Sequence, residues 1–388
     1  MSEKIGILTG GGDVPGLNSV IKAVVYRASE PGKQVVGIKK GWEGLTHMTG
    51  PDDANYIWPL DRDNTRTIDR TGGTALHSSR TNPSRMSEKA LPGFINKADL
   101  EKYRKNESTW DITPVVLDNL EKLGVDTLIT IGGDDTLGYS ARLHSEGFPV
   151  IAIPKTMDND VRNTEYCIGF ATAITRAKDA INRQRTTVGS HERVGIFRIF
   201  GRDAGFTSLY TSYIAATRCL IPEVRFDLDK LCNILVEDRE NNPSNYSLVV
   251  ISEGAAWDGY EVKSYGEADA YGHRKKVNIG ESLSEEFKKR TGLETIVSDL
   301  TYDLRSGEPD AVDHMVAITF ANIAIDMLND GISGKMMGIK DGKYAAVEIP
   351  DPKMGPRTVD IDRLYNQDRY RPRYNNKIGV PLMLESVV

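Results

Sequence analysis

Cysteine is scarce. Cys167, Cys219 and Cys232 are the three in 388 residues, none in a C-x-x-C pair, so neither a disulfide framework nor a thiolate zinc site is indicated. That usage predicts a reducing compartment, the cytoplasm, with buried or inert thiols. Long apolar runs are missing too: none approaches the roughly 18 residues of a membrane span. The opening MSEKIGILTGGGD has no basic stretch ahead of a long apolar one, so no signal peptide is expected. His47, His77, His144, His191, His273 and His314 are scattered singly and offer no metal triad. Positive charge is not in excess, at 49 Lys and Arg against 55 Asp and Glu. With both signs spread along the chain, a nucleic-acid surface is not expected, although a local basic pocket remains open. Internal repeats, low-complexity tracts and clear linkers are also absent. A chain this long suits two domains, so the missing linker suggests domains that the chain crosses more than once.

What is present is alternation. Short β-branched runs at Lys4 to Thr9, Val35 to Lys39, Thr127 to Ile131, Val150 to Ile153, Val194 to Phe200 and Leu248 to Ser252 read as strands. Between them, stretches such as Leu17 to Ala28, Thr136 to His144, Ala171 to Arg183 and Ser282 to Arg290 read as helices. Single helices between strands imply βαβ units and a mainly parallel sheet, hence an α/β fold. A longer helix is expected from Ala311 to Leu328, stopped by Asn329-Asp330-Gly331. A hairpin follows over Gly334 to Ile349 with its turn at Asp341-Gly342, and the tail from Asp351 looks irregular.

Three strand ends carry chemistry. Gly10-Gly11-Gly12-Asp13 follows the first strand, where glycines let backbone approach an anion held by a helix N-terminus; a plain tight turn is the bland alternative. It is neither a Walker A loop nor G-x-G-x-x-G. Gly132-Gly133-Asp134-Asp135 sets two carboxylates side by side, awkward without a cation such as magnesium; Asp135 as a mere helix cap is the alternative. Pro154-Lys155-Thr156-Met157-Asp158-Asn159-Asp160 packs a cation, a hydroxyl and two carboxylates into one turn, the inventory of phosphoryl transfer to an alcohol.

The ordered series GGGDVPGLN, GGTALHSSR, GGDDT, PKTMDND, GSHER, FGRDAG and IPE resembles the phosphofructokinase family from about Lys4 to Glu223, and more weakly to Pro309. The resemblance implies two Rossmann-like three-layer domains with the cleft between them. One would span 1–165 plus 306–351 and bind the donor; the other would span 166–305 plus 352–388 and bind the sugar phosphate. It implies Asp158 as the base for the sugar 1-hydroxyl, with Thr156 beside it and Lys155 and Arg202 as cations of the catalytic set. Asp134 and Asp160 would serve Mg2+. Gly11, Gly12 and Arg80 would hold the donor phosphates. Phe200, Gly201 and Arg202 stand in the family's Met-Gly-Arg place, and Glu223 would bind sugar hydroxyls. Arg193 would reach the substrate's 6-phosphate from a neighbouring subunit, so a homodimer or homotetramer is expected.

Two departures from the ATP-using pattern bear on the donor. Where those relatives read GGDG and PGTIDND, this chain has Asp135 and Lys155. A carboxylate at 135 crowds and repels a nucleotide's α-phosphate, while Lys155 is a point-charge phosphate binder suited to pyrophosphate. The resemblance is therefore to the pyrophosphate-dependent branch, with fructose 6-phosphate as acceptor and sedoheptulose 7-phosphate as a second. Tyr302 and Arg305 fit the acceptor side, but Ile296 stands where relatives carry an arginine; the basic tail, with Arg369, Arg371 and Arg373, is expected to compensate. The alternatives are the same fold using ATP, a lipid or NAD kinase sharing a GGDG-like motif, a nicotinamide dehydrogenase, and a non-catalytic regulatory paralogue. The first loop lacks the dehydrogenase fingerprint, the kinases lack the accompanying motifs, and the paralogue should have lost acids that are all present here.

Overall fold

Strand Lys4–Thr9 is buried from Ile5 onward on both faces, so layers must cover it from above and below. The computed structural model describes residues 3–260, 264–265, 275–276 and 278–375. Strands longer than two residues are β1 (Lys4–Thr9), β2 (Gln34–Ile38), β3 (Ile57–Leu60), β4 (Thr127–Gly132), β5 (Val150–Pro154), β6 (Val194–Ile199), β7 (Arg218–Leu220), β8 (Ser247–Ser252), β9 (Thr295–Leu300), β10 (Lys335–Lys340) and β11 (Lys343–Glu348). The longer helices are α1 (Leu17–Ser29), α2 (Thr113–Leu123), α3 (Asp134–Ser145), α4 (Phe170–Ser190), α5 (Phe206–Ala215), α6 (Leu228–Glu240), α7 (Ile279–Thr291) and α8 (Ala311–Asn329).

The first sheet runs β11-β10-β5-β4-β1-β2-β3, parallel through its centre with an antiparallel strand at each edge. The second, β9-β6-β8-β7, is wholly parallel. The fold is α/β with mainly parallel sheets, as the alternation predicts. Three strands escaped that reading for physical reasons. β3 contains Pro59, tolerated because the strand is at an edge. β7 has three residues, and β9 is an edge strand only partly buried. Helix α3 begins at Asp134 rather than Thr136, so both acids lie in its first turn. The hairpin forms where expected: buried Glu165 accepts from the turn N–H groups of Asp341 and Gly342 at 2.5 and 3.0 Å.

The chain leaves the first sheet after β5, builds the second, and returns through α8. That helix is long and apolar enough to cross a membrane, but Val316, Phe320 and Ile325 are buried in the core. It is tied to α1 by Arg27–Asp326 at 2.9 Å and Ser19–His314 at 2.9 Å. Its first turn also caps another helix. Helix α4 has no side-chain cap of its own; instead Asp313 accepts from Gly169 N and Thr172 N at 2.8 Å, Thr172 Oγ1 at 2.5 Å and Tyr166 Oη at 2.6 Å. Burial pushes this carboxyl up to about 6 even so. An amide there would turn N–H donors toward a cage of donors. Asp313→Asn is expected to lower stability by about 2–3 kcal/mol, read as an earlier urea midpoint with unchanged slope.

Candidate active site

The three glycine and acid loops all leave the carboxyl edge of the first sheet, where open α/β sheets bind ligands. Opposite them, Arg202 and Asp203 follow β6, and Arg305 follows β9. Together they line one cleft of about 310 Å³ that brings in Gly11, Gly12, Arg80, Asp134, Asp135, Lys155, Thr156, Asp158 and Asp160. A segment of the C-terminal chain, from Pro350 to Pro356, forms a further wall.

One side is cationic. Lys155 is 4% exposed, and its Nζ donates to Gly12 O at 2.5 Å. Burial and the neighbouring Arg305 and Arg80 pull it down to about 8, against the pull of Asp13. Gly11 has φ +77°, a left-handed conformation that favours glycine, and its N–H donates to Ser79 O at 3.0 Å, which ties in the segment carrying Arg80. A side chain at Gly12 would meet the Arg305 guanidinium at 3.2 Å. Arg305 lies over the Phe200 ring at 4.4 Å and reaches Met157 Sδ at 3.4 Å. It makes no ion pair among the described residues, so its charge is available to an anion.

The other side is acidic. Burial, together with Asp160, Asp135 and Asp203, pushes the Asp134 carboxyl up to about 8, with Arg162 opposing. Asp158 is raised well above the usual carboxylate range by burial, Asp160 and Glu253, with Arg305 and Arg202 opposing. Its Oδ1 is buried without a hydrogen-bond partner among the described residues, while its N–H donates to Thr156 Oγ1 at 3.2 Å. Burial also raises Asp160, and Thr156 and Arg357 act against it. Among the described residues no three acid, histidine or cysteine side chains converge tightly enough to cage a metal alone. Crowded carboxylates facing a phosphate-sized cleft fit magnesium instead, which takes one or two carboxylates and completes its shell with water and substrate phosphates.

Not every expected residue lines the cleft. Gly201, beside Arg202, is held at φ +126°, Phe200 lies under the Arg305 guanidinium, and Tyr302 is 73% exposed, edge-on to Phe200. Glu223 Oε1 accepts from Gly205 N at 2.9 Å and Val359 N at 2.8 Å, while its Oε2 is buried without a hydrogen-bond partner among the described residues. Arg193 precedes β6 and so lies at the opposite end of that strand, about 20 Å of extended chain away. The basic tail packs on β7, Tyr370 O accepting from Cys219 N at 2.8 Å, while Ile296 is on β9 at the other edge of that sheet. Within one subunit this tail does not replace the missing arginine. Two acids were overlooked. Asp203 lines the cleft, and Glu253 pairs with Arg198 at 2.8 Å and approaches Arg202 at 3.9 Å. Glu253 directly follows β8, so the strand-end rule applied to the other loops would have found it. Because Gly12 lets Arg305 lie close, Gly12→Ala is expected to cut turnover about 10–100-fold with a melting temperature near that of the unchanged protein.

The comparisons agree with this architecture. The phosphofructokinase family profile matches residues 4–328. A pyrophosphate--fructose 6-phosphate 1-phosphotransferase of Streptomyces coelicolor is 38% identical over 361 residues, 92% of this chain and 96% of the relative. An ATP-dependent 6-phosphofructokinase 3 of the same organism is 34% identical over 359 residues, 92% of this chain and 96% of the relative. The crystal structure of a pyrophosphate-dependent phosphofructokinase from Nitrosospira multiformis superposes with a TM-score of 0.75 at 15% identity, over 96% of this chain and 89% of that one. The parallel sheets, the shared cleft at their carboxyl edges and the match over most of the sequence lead to one conclusion: this chain belongs to the phosphofructokinase family.

Proposed function

We propose that the chain moves a phosphoryl group reversibly between inorganic pyrophosphate and the 1-hydroxyl of fructose 6-phosphate, giving fructose 1,6-bisphosphate and phosphate. The observation that carries the donor assignment is Lys155, a buried cation on Gly12 O in the cradle, with the carboxylate of Asp135 lining the same cleft. The pair favours a small, highly charged donor and disfavours a nucleotide's α-phosphate. The pyrophosphate-using relative above supports the same reading.

In this reading Gly11, Gly12, Arg80 and Lys155 hold the donor, and Arg202 and Arg305 face the charge that develops in transfer. The sugar oxygen bonds to the terminal phosphorus, the bridging P–O bond breaks, and the hydroxyl proton passes to Asp158 Oδ1, which has no competing partner among the described residues. Burial among acids gives that oxygen the proton affinity a base needs. Asp134 and Asp160 would hold Mg2+, which when bound neutralises phosphate charge. Arg193, remote from its own cleft, would serve a neighbouring subunit, which supports a homo-oligomer. Free, buried Cys167, Cys219 and Cys232 suit the cytoplasm. The two sheets support the division into 1–165 plus 306–351 and 166–305 plus 352–388, although the strap from 350 contributes to both sides.

The deciding assay supplies fructose 6-phosphate and magnesium with pyrophosphate in one reaction and ATP in another. Bisphosphate formed only with pyrophosphate is expected; formation only with ATP overturns the donor assignment. A pH profile separates the role of Lys155. Its proton is held below about 8 and released above, so kcat/KM for pyrophosphate should fall as pH rises through about 8. Arg in its place keeps its charge, and Lys155→Arg should lose that limb while the substrate's own titration remains.

A further inference from the structure

We propose that Arg357, on the strap 350–359 beyond the family match, is a positioning residue that holds the Asp158–Asp160 turn in its reactive geometry. The inference rests on the reading of that turn as the phosphoryl-transfer site. Arg357 is 2% exposed, although it belongs to the polar tail. Its guanidinium lies over the Phe206 ring at 4.5 Å. Nη2 donates to Asn159 O at 2.6 Å and Glu165 O at 3.3 Å, and Nε donates to Asn159 O at 3.2 Å. Its backbone N–H donates to Asp160 O at 2.6 Å.

Asn159 sits between the proposed base and the second carboxylate, and it is held at φ +54°, a left-handed conformation that costs energy for a residue with a side chain. Its own amide is spent inside the turn, donating to Glu165 O at 2.9 Å and accepting from Cys167 N at 2.7 Å. The remaining carbonyl is what Arg357 grips. The tie is reciprocal, since Arg162 of the same loop donates from Nε to Gly355 O at 2.9 Å on the strap. The other end of the strap is anchored by Val359 N on Glu223 Oε1, which also takes Gly205 N at the start of α5. Helix α5 then supplies both Phe206 under the guanidinium and Thr207, whose Oγ1 donates to Met157 O at 2.7 Å. One planar, charged fork therefore joins a loop of the first sheet to a helix of the second. A lysine cannot copy it, because an ammonium is a point donor without the fork or the flat face for stacking.

The test compares Arg357→Lys with the unchanged protein, each using whichever donor the unchanged protein turns over, so failure of the donor assignment does not affect the comparison. The expected result is a folded variant whose kcat falls about 100-fold with both KM values within about threefold. Guanidinium ion added to Arg357→Ala at non-denaturing concentration should restore part of that kcat. A folded Arg357→Lys with kcat within about threefold of the unchanged protein, or raised KM at unchanged kcat, overturns the proposal. If circular dichroism shows Arg357→Lys unfolded, Phe206→Leu decides: it keeps the arginine, removes its supporting face, and must lower kcat without raising KM.

Discussion

Like charges held close together are the constraint on which this structure turns. Asp134, Asp158 and Asp160 sit buried or half-buried within one cleft, with Asp203 and Glu253 adding to the field. Their mutual repulsion is tolerable only because cations arrive from distant parts of the chain. Arg202 comes from the end of β6, Arg305 from beyond β9, Arg162 from just after Asp160 and Arg357 from the strap. Each opposes one or more of the carboxylates, and none lies near them in sequence except Arg162. The imbalance left over leaves an acceptor oxygen on Asp158 without a hydrogen-bond partner among the described residues, and crowded carboxylates of this kind are what a divalent cation would offset.

The two sheets divide the labour. The first presents helix N-termini and glycine loops, which allow an anion's close approach. The second presents arginines at its strand ends, Arg202 and Arg305, which line the cleft and oppose the charge of Asp158. Neither sheet makes a complete site. Helix α8, returning after the second sheet to pack on α1, and the strap crossing back toward α5 hold the halves in register. Asp313 and Glu223 serve that purpose: Asp313 collects backbone N–H groups from the start of α4, and Glu223 collects one from Gly205 and one from Val359.

Much of this was legible in the residues. Apolar runs buried on both faces dictated parallel strands, glycine after a strand dictated a close approach, and charged residues at those ends marked the cleft. Thus Gly11, Gly12, Arg80, Asp134, Asp135, Lys155, Thr156, Asp158, Asp160, Arg202 and Arg305 could be named and are found together. Glu253 obeyed the same rule, directly after β8, and was not named. The edge strands β3, β7 and β9 were missed because short or half-exposed segments carry weak periodicity.

The sequence alone determined the layers and the chemistry at each strand end, because burial period and glycine placement are local properties. Only the tertiary structure decided which charges face one another. Arg357 lies 197 residues beyond Asp160 along the chain, the basic tail turned to β7 rather than to Ile296, and Arg193 fell at the far end of its strand from the cleft. Electrostatic balance depends on distance in space and on burial, and neither quantity is carried by the spacing of residues along the chain.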